Sequence, residues 1–153
     1  MLMDIYLSSK NFKEAYKVAK NLYLKTNNVK YLGKMAIYQY EGAKIKDKKL
    51  ISSVVKKFEK TVKKSKDPMF LNYYGYLLID YDIDIKKGIK LVKEALRVEP
   101  DSPYYLDSLA WGYYKLGKCK KAKKIMQKVT QMSQDKEVLK HMKMIEKCIK
   151  EEK

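Results

Sequence analysis

Three groups of residues offer types and spacings that could support chemistry. Asp80, Asp82 and Asp84 alternate through a short stretch, which invites a calcium reading. An EF-hand loop starting at Asp80 needs Gly at its sixth place and Glu at its twelfth. Those places hold Ile85 and Leu91, so the triplet reads as a solvated turn between helices. His141 is the one histidine, so no His-based metal cluster can form and no Ser or Cys nucleophile has a second base to draw on. It lies at the edge of an apolar stripe and reads as a half-buried structural histidine. Cys119 and Cys148 are far apart with no CxxC, which predicts two free thiols, with Cys119 exposed among Lys118, Lys120 and Lys121. There is no Gly-rich phosphate loop and no HExxH. The expectation is a protein that is not an enzyme and takes no metal or cofactor.

The aromatic residues say more. Tyr104, Asp107, Trp111 and Tyr114 recur at a 3, 4, 3 spacing, one stripe of a helix. Leu106, Leu109, Ala110 and Tyr113 form a second, apolar stripe roughly 130° away at the helical step. One stripe must be core. The aromatic one either offers a surface to a partner or packs against a neighbouring helix.

The elements that position these stripes repeat. Leu71, Tyr74, Gly75 and Leu78 reproduce the apolar spacing 35 residues earlier. Gly88, Leu91, Val92 and Ala95 anticipate Ala122, Ile125, Met126 and Val129 by 34 residues. Asp67-Pro68 and Ser102-Pro103, also 35 residues apart, each set a capping side chain before a proline at the first helical position. Pro100 follows a second helix, and Gly117 suits the left-handed turn after a first one. Leu32, Met35 and Ala36 open an earlier helix pair, whose second helix carries Val54, Val55, Phe58 and Val62 after a turn about six residues longer than the others. Before it, Ala15, Ala19 and Leu22 mark another second helix, with Leu2, Met3 and Tyr6 as a short remnant of its partner. Val138, Met142, Ile145 and Ile149 form a single apolar stripe on a polar closing helix, as a terminal cap requires.

This pattern resembles the tetratricopeptide repeat (TPR) family, a helix-turn-helix with W-x2-L-G-x2-Y, then A-x3-F, then P. Leu106-x2-Leu109-Ala110-x2-Tyr113 with Ala122-x3-Met126 matches well. Leu71-x2-Tyr74-Gly75-x2-Leu78 with Gly88-x3-Val92 and Pro100 matches fairly. Gln39 stands where an aromatic is usual, and Gln134 where a proline is, which suits the change from repeat to cap. The run from Tyr105 to Gly117 looks like the last repeats of bacterial members.

The resemblance implies an all-α, right-handed superhelix of about three helix pairs, some seven helices with the cap. It divides the chain into a partial repeat over 1–27, a repeat with a long inter-helix turn over 28–67, repeats over 68–102 and 103–136, and a capping helix over 137–153. Gly75 and Ala110, with Gly88 and Ala122 opposite, must be small where the two helices of a repeat cross. First helices line the concave face in this family. The resemblance therefore implies a partner-binding groove of Tyr40, Asn72, Tyr76, Ile79, Tyr104, Asp107, Trp111 and Tyr114. Packing of the same residues against the next repeat or the cap is the competing reading. Asn72 with Tyr76, and Asp107 with Trp111, do not reproduce the Lys and Asn clamp that some members close on a chaperone carboxylate, which argues against a co-chaperone role.

Composition bounds the partner. Net charge is +17, yet 34 of 35 cations are lysine and Arg97 is the sole arginine. Lysine is a solvated point charge, whereas arginine reads guanine and phosphate bidentately. The expected partner is another protein, with no small-molecule substrate. Sequence-specific nucleic-acid binding is disfavoured, and loose docking to nucleic acid or an anionic membrane through lysine-rich flanks is the alternative. Residues 1–67 carry a net +11, residues 68–102 a net −1 and residues 103–153 a net +7. The chain shows no basic-then-apolar leader and no apolar run of membrane-spanning length. The truncated first repeat suggests part of a longer bacterial protein, cytoplasmic, or periplasmic if a signal lies upstream.

Overall fold

The computed structural model describes residues 11–152. The expected helix remnant at Leu2, Met3 and Tyr6 lies outside them. The described residues form eight α-helices: α1 (Phe12–Thr26), α2 (Val29–Gly42), α3 (Lys48–Lys64), α4 (Pro68–Asp80), α5 (Ile85–Val98), α6 (Pro103–Lys115), α7 (Cys119–Met132) and α8 (Lys136–Glu151). Seven of them are the expected three pairs and closing helix, and the eighth, α1, runs 15 residues where Ala15, Ala19 and Leu22 marked a helix.

Short polar residues set the boundaries. Asn11, Asn28, Asp47, Asp84 and Ser102 each accept a backbone N–H of the following first turn through the side chain. Asp67 does the same for Met69 N–H ahead of Pro68. Gly117 ends α6 at φ 81°, with its N–H on Tyr114 O and that of Lys118 on Tyr113 O. A residue with a Cβ is strained in that conformation, hence the glycine. Gln134 caps the carbonyl of Thr130 in the turn before α8.

The chain divides into two compact units, one up to Phe70 and one from Leu71. In the first, Ala15 and Ala19 of α1 pack with Leu32, Met35 and Tyr38 of α2. A Cβ on Gly33 would stand 2.7 Å from the Phe70 ring, so the ring occupies the space that the missing side chain leaves. In the second unit, Val92, Leu109, Ala110, Ala122, Met126, Val129, Val138 and Ile145 belong to one core that runs from α5 to α8.

The small residues sit where the repeat requires them. A Cβ on Gly75 would lie 2.7 Å from Gly88 O, and one on Gly88 would lie 2.6 Å from Gly75 O. The α4 and α5 backbones thus cross in direct contact, closer than any side chain permits. Ala110 and Ala122 are fully buried in the next pair.

Candidate interaction site

The second unit builds its polar centre from the aromatic stripe. Asp107 and Trp111, a helical turn apart on α6, both face α8. His141 of α8 stacks on the Trp111 ring with centroids 4.1 Å apart and an interplanar angle of 17°. Its Nδ1 lies 2.9 Å from Asp107 Oδ1. Its Nε2 lies 3.3 Å from Glu137 Oε1, one turn earlier on α8. The Tyr76 hydroxyl of α4 donates to the same Glu137 oxygen at 3.3 Å. Burial, with the nearby charges of Asp80, Glu137 and Asp107, pushes the Tyr76 phenol far above its usual range. Trp111 Nε1–H donates to Asp80 Oδ1 at 3.0 Å.

His141 is 2% exposed, not half-buried as its place at the stripe edge suggested. The reason is that α8 lays it between the Trp111 ring and the Asp107 carboxylate. A buried imidazole needs such partners, and a buried carboxylate equally so. The aspartates of the turn are likewise structural. Asp80 holds the indole, Asp84 caps α5, and Asp82 pairs with Lys115 Nζ at 3.3 Å.

The cysteines differ from expectation outright. Cys119 and Cys148 form a disulfide, and Cys119 is 1% exposed rather than an exposed thiol. The helices α7 and α8 form an antiparallel hairpin. Cys119 opens α7 and Cys148 lies near the end of α8, so the two are about equally far from the connecting turn and meet across it. That symmetry about the turn was the available signal. Sequence separation alone concealed it.

The eight stripe residues are divided by the structure. Ile79 is fully buried and packs at the α5 and α6 contact, where a Cβ on Gly112 would meet it. Asp107 and Trp111, 8% and 5% exposed, are covered by α8. Tyr76 and Tyr114 flank them half-buried, and Tyr114 stacks on Trp111 at 4.7 Å. Asn72, a turn before Tyr76, is half-buried, and its Oδ1 has no hydrogen-bond partner among the described residues. Tyr104 is 64% exposed at the start of α6. Tyr40 belongs to the first compact unit, where Lys46 Nζ stands 4.9 Å from its ring centroid.

One cleft opens beside the assembled part. It has a volume of about 580 Å³ and lies between the C-terminal halves of α6 and α8. Trp111 and Tyr114 line one side, Met144 and Cys148 the other, with Lys115, Lys147 and Glu151 at the edges. Met144 is an exposed apolar residue here. The cleft thus combines stacked aromatics, a flexible thioether and charges of both signs.

Helix pairs joined by short turns, repeated at 34 to 35 residues from α4 onward and a few residues more before it, and crossing at small residues, define an α-helical repeat protein. The chain belongs to the tetratricopeptide repeat family, whose profile matches residues 2–142. A TPR repeat-containing protein of Pseudomonas aeruginosa is 34% identical over 74 residues, which are 48% of this chain and 12% of that protein's length. Among solved structures, MamA superposes with a TM-score of 0.67 at 14% identity, over 99% of this chain and 96% of that one. A putative kinesin light chain with TPR-like repeats from Podosopora anserina gives 0.65 at 12% identity, over 97% and 82%. The TPR domain of P58(IPK) gives 0.58 at 14% identity, over 99% and 55%. These likenesses establish the all-α repeat fold. Among the described residues no helix is long and apolar enough to cross a membrane.

Proposed function

We propose that the chain is a non-catalytic interaction module that holds a segment of another protein in the cleft between α6 and α8. The scaffold role follows from membership of the TPR family. The single observation that carries the location is the stacked Trp111–Tyr114 pair beside exposed Met144 in a cleft of about 580 Å³. Aromatic anchors in a concave, partly desolvated setting dominate protein interfaces. Methionine adapts its shape to a bound side chain at little cost. Tyr114 and Met144 would grip an apolar side chain of the partner, while Lys115, Lys147 and Glu151 set its polar flanks. Of the eight stripe residues, Trp111 and Tyr114 line the cleft, and Asp107 and Tyr76 support its α8 wall from behind through His141 and Glu137.

Selection of displayed random peptides tests this reading. Peptides enriched on the wild-type chain should contain a recurring apolar or aromatic residue. They should lose at least about tenfold in affinity on Tyr114→Ala or Met144→Lys, about 1.4 kcal/mol. Lys123→Ala on α7 should leave them unchanged. Enrichment that survives both cleft variants would place the binding surface elsewhere.

A further inference from the structure

The first compact unit carries a second cleft, of about 540 Å³, with a different chemistry. Most of its lining comes from one face of α3, where Lys49, Lys56 and Lys60 recur at steps of seven and four. At the helical rise these positions span about 16 Å. Lys57 stands beside them, and no Asp or Glu is among the lining residues. Leu32 of α2 and Tyr23 of α1 supply an apolar side.

Among the described residues the cations there lack counter-charges. Lys49, Lys56 and Lys60 make no ion pair among the described residues, whereas Lys63 on the same helix pairs with Glu59. Lys57 is held by neutral partners, donating to Gln39 Oε1 at 2.9 Å and Ser53 Oγ at 3.1 Å. Its burial, with the positive charge of Lys20, lowers its pKa below the ordinary lysine value. A cation fixed in place, partly desolvated and facing like charge gains most from an arriving anion. The helix as a whole carries seven lysines against one glutamate.

We infer that this cleft is a binding site for an acidic, extended peptide segment of a partner protein, with carboxylates on Lys49, Lys56, Lys57 and Lys60 and an apolar side chain against Leu32 and Tyr23. The dimensions fit: at about 3.3 Å per extended residue, the lysine row matches roughly five residues. A concave site with an apolar side suits a peptide better than a flat bilayer. The absence of arginine from the lining and its single aromatic argue against nucleic acid, which is gripped by guanidinium forks and stacked rings. The site lies in the other compact unit from the Trp111–Tyr114 cleft, so either can fail without the other.

The probe is a fluorescein-labelled peptide alternating Glu with Leu, followed by anisotropy. Its counterpart with Gln for Glu, duplex DNA and phosphatidylserine vesicles are run beside it. The Glu peptide should bind, weaken with rising salt as exposed charges are screened, and lose about tenfold or more on Lys56→Gln with Lys60→Gln. Lys123→Gln with Lys124→Gln removes the same charge from α7 and should change binding less than about twofold. Circular dichroism of both double variants checks that they fold. Three results overturn the inference: equal loss in the two double variants, equal binding of the Gln peptide, or tighter binding of DNA or vesicles that depends on Lys56 and Lys60.

Discussion

Asp107 and His141 stand 34 residues apart, one repeat length, and meet with Oδ1 2.9 Å from Nδ1 in the buried contact between α6 and α8. The helix α8 is thereby joined to α6 by a polar bond, beside the apolar core that Val138 and Ile145 share with it. A buried pair of this kind costs desolvation to assemble, and losing one member strands the other. Asp107→Ala should therefore destabilise the fold by about 2–4 kcal/mol. A double-mutant cycle with His141→Gln should return a coupling of about 1–3 kcal/mol. Urea unfolding of the four proteins measures it. Strict additivity would mean that the two side chains do not interact in solution.

The repeat was legible because its signals are local. Helical spacing, capping residues before Pro68 and Pro103, and Gly117 act within a few residues of themselves. The crossing glycines were legible too, since a 34 to 35 residue period brings Gly75 and Gly88 into the register the family uses. What the sequence hid lies in the closing hairpin. Whether the Asp107–Trp111 stripe faces water or α8 depends on where the last helix settles, and no residue of α6 encodes that. The period gave a hint, because a step of 34 from Asp107 lands on His141. The disulfide was hidden likewise, since pairing across an antiparallel hairpin depends on distance from the turn rather than on spacing in a motif.

Trp111 should behave as a structural residue first. Its indole is nearly fully buried, stacks on His141 and donates to Asp80. Trp111→Ala should cost about 3–5 kcal/mol. Trp111→Phe keeps most of the apolar surface but leaves Asp80 short of a donor, at about 1–2 kcal/mol. Chemical denaturation of both variants reads these values. An alanine variant as stable as wild type would show that α8 does not cover the ring.

The Cys119–Cys148 bond should hold α8 over that ring. It closes a loop of 29 residues, for which chain entropy gives about 3–4 kcal/mol. Cys119→Ser with Cys148→Ser, or wild type under reductant, should lose stability of that order. Because α8 forms one wall of the Trp111 environment, acrylamide should also quench the tryptophan fluorescence more strongly once the bond is gone. Unchanged melting and unchanged quenching in the double variant would show that noncovalent packing alone secures α8.

Tyr76 gives the fold a pH dependence at the alkaline end. Its folded-state pKa lies far above the ordinary tyrosine value, chiefly from burial and then from the charges of Asp80, Glu137 and Asp107. In the unfolded chain the phenol ionises near pH 10. Above that pH the unfolded state has lost a proton that the folded state retains, so linkage favours unfolding. The stabilisation from Tyr76 is thus fully present below about pH 10 and declines as pH rises beyond it, by at most about 1.4 kcal/mol per pH unit for one group. Other tyrosines and the lysines titrate in the same range, so the useful quantity is the difference between wild type and Tyr76→Phe. Phenylalanine keeps the ring beside His141 and removes only the hydroxyl that donates to Glu137. The wild-type advantage in urea unfolding should be constant from pH 7 to about 9 and shrink steadily between about 10 and 12. A difference that stays flat through pH 12 would mean that Tyr76 ionises as freely in the folded chain as in the unfolded one, and that the Glu137 side of α8 stands open to water.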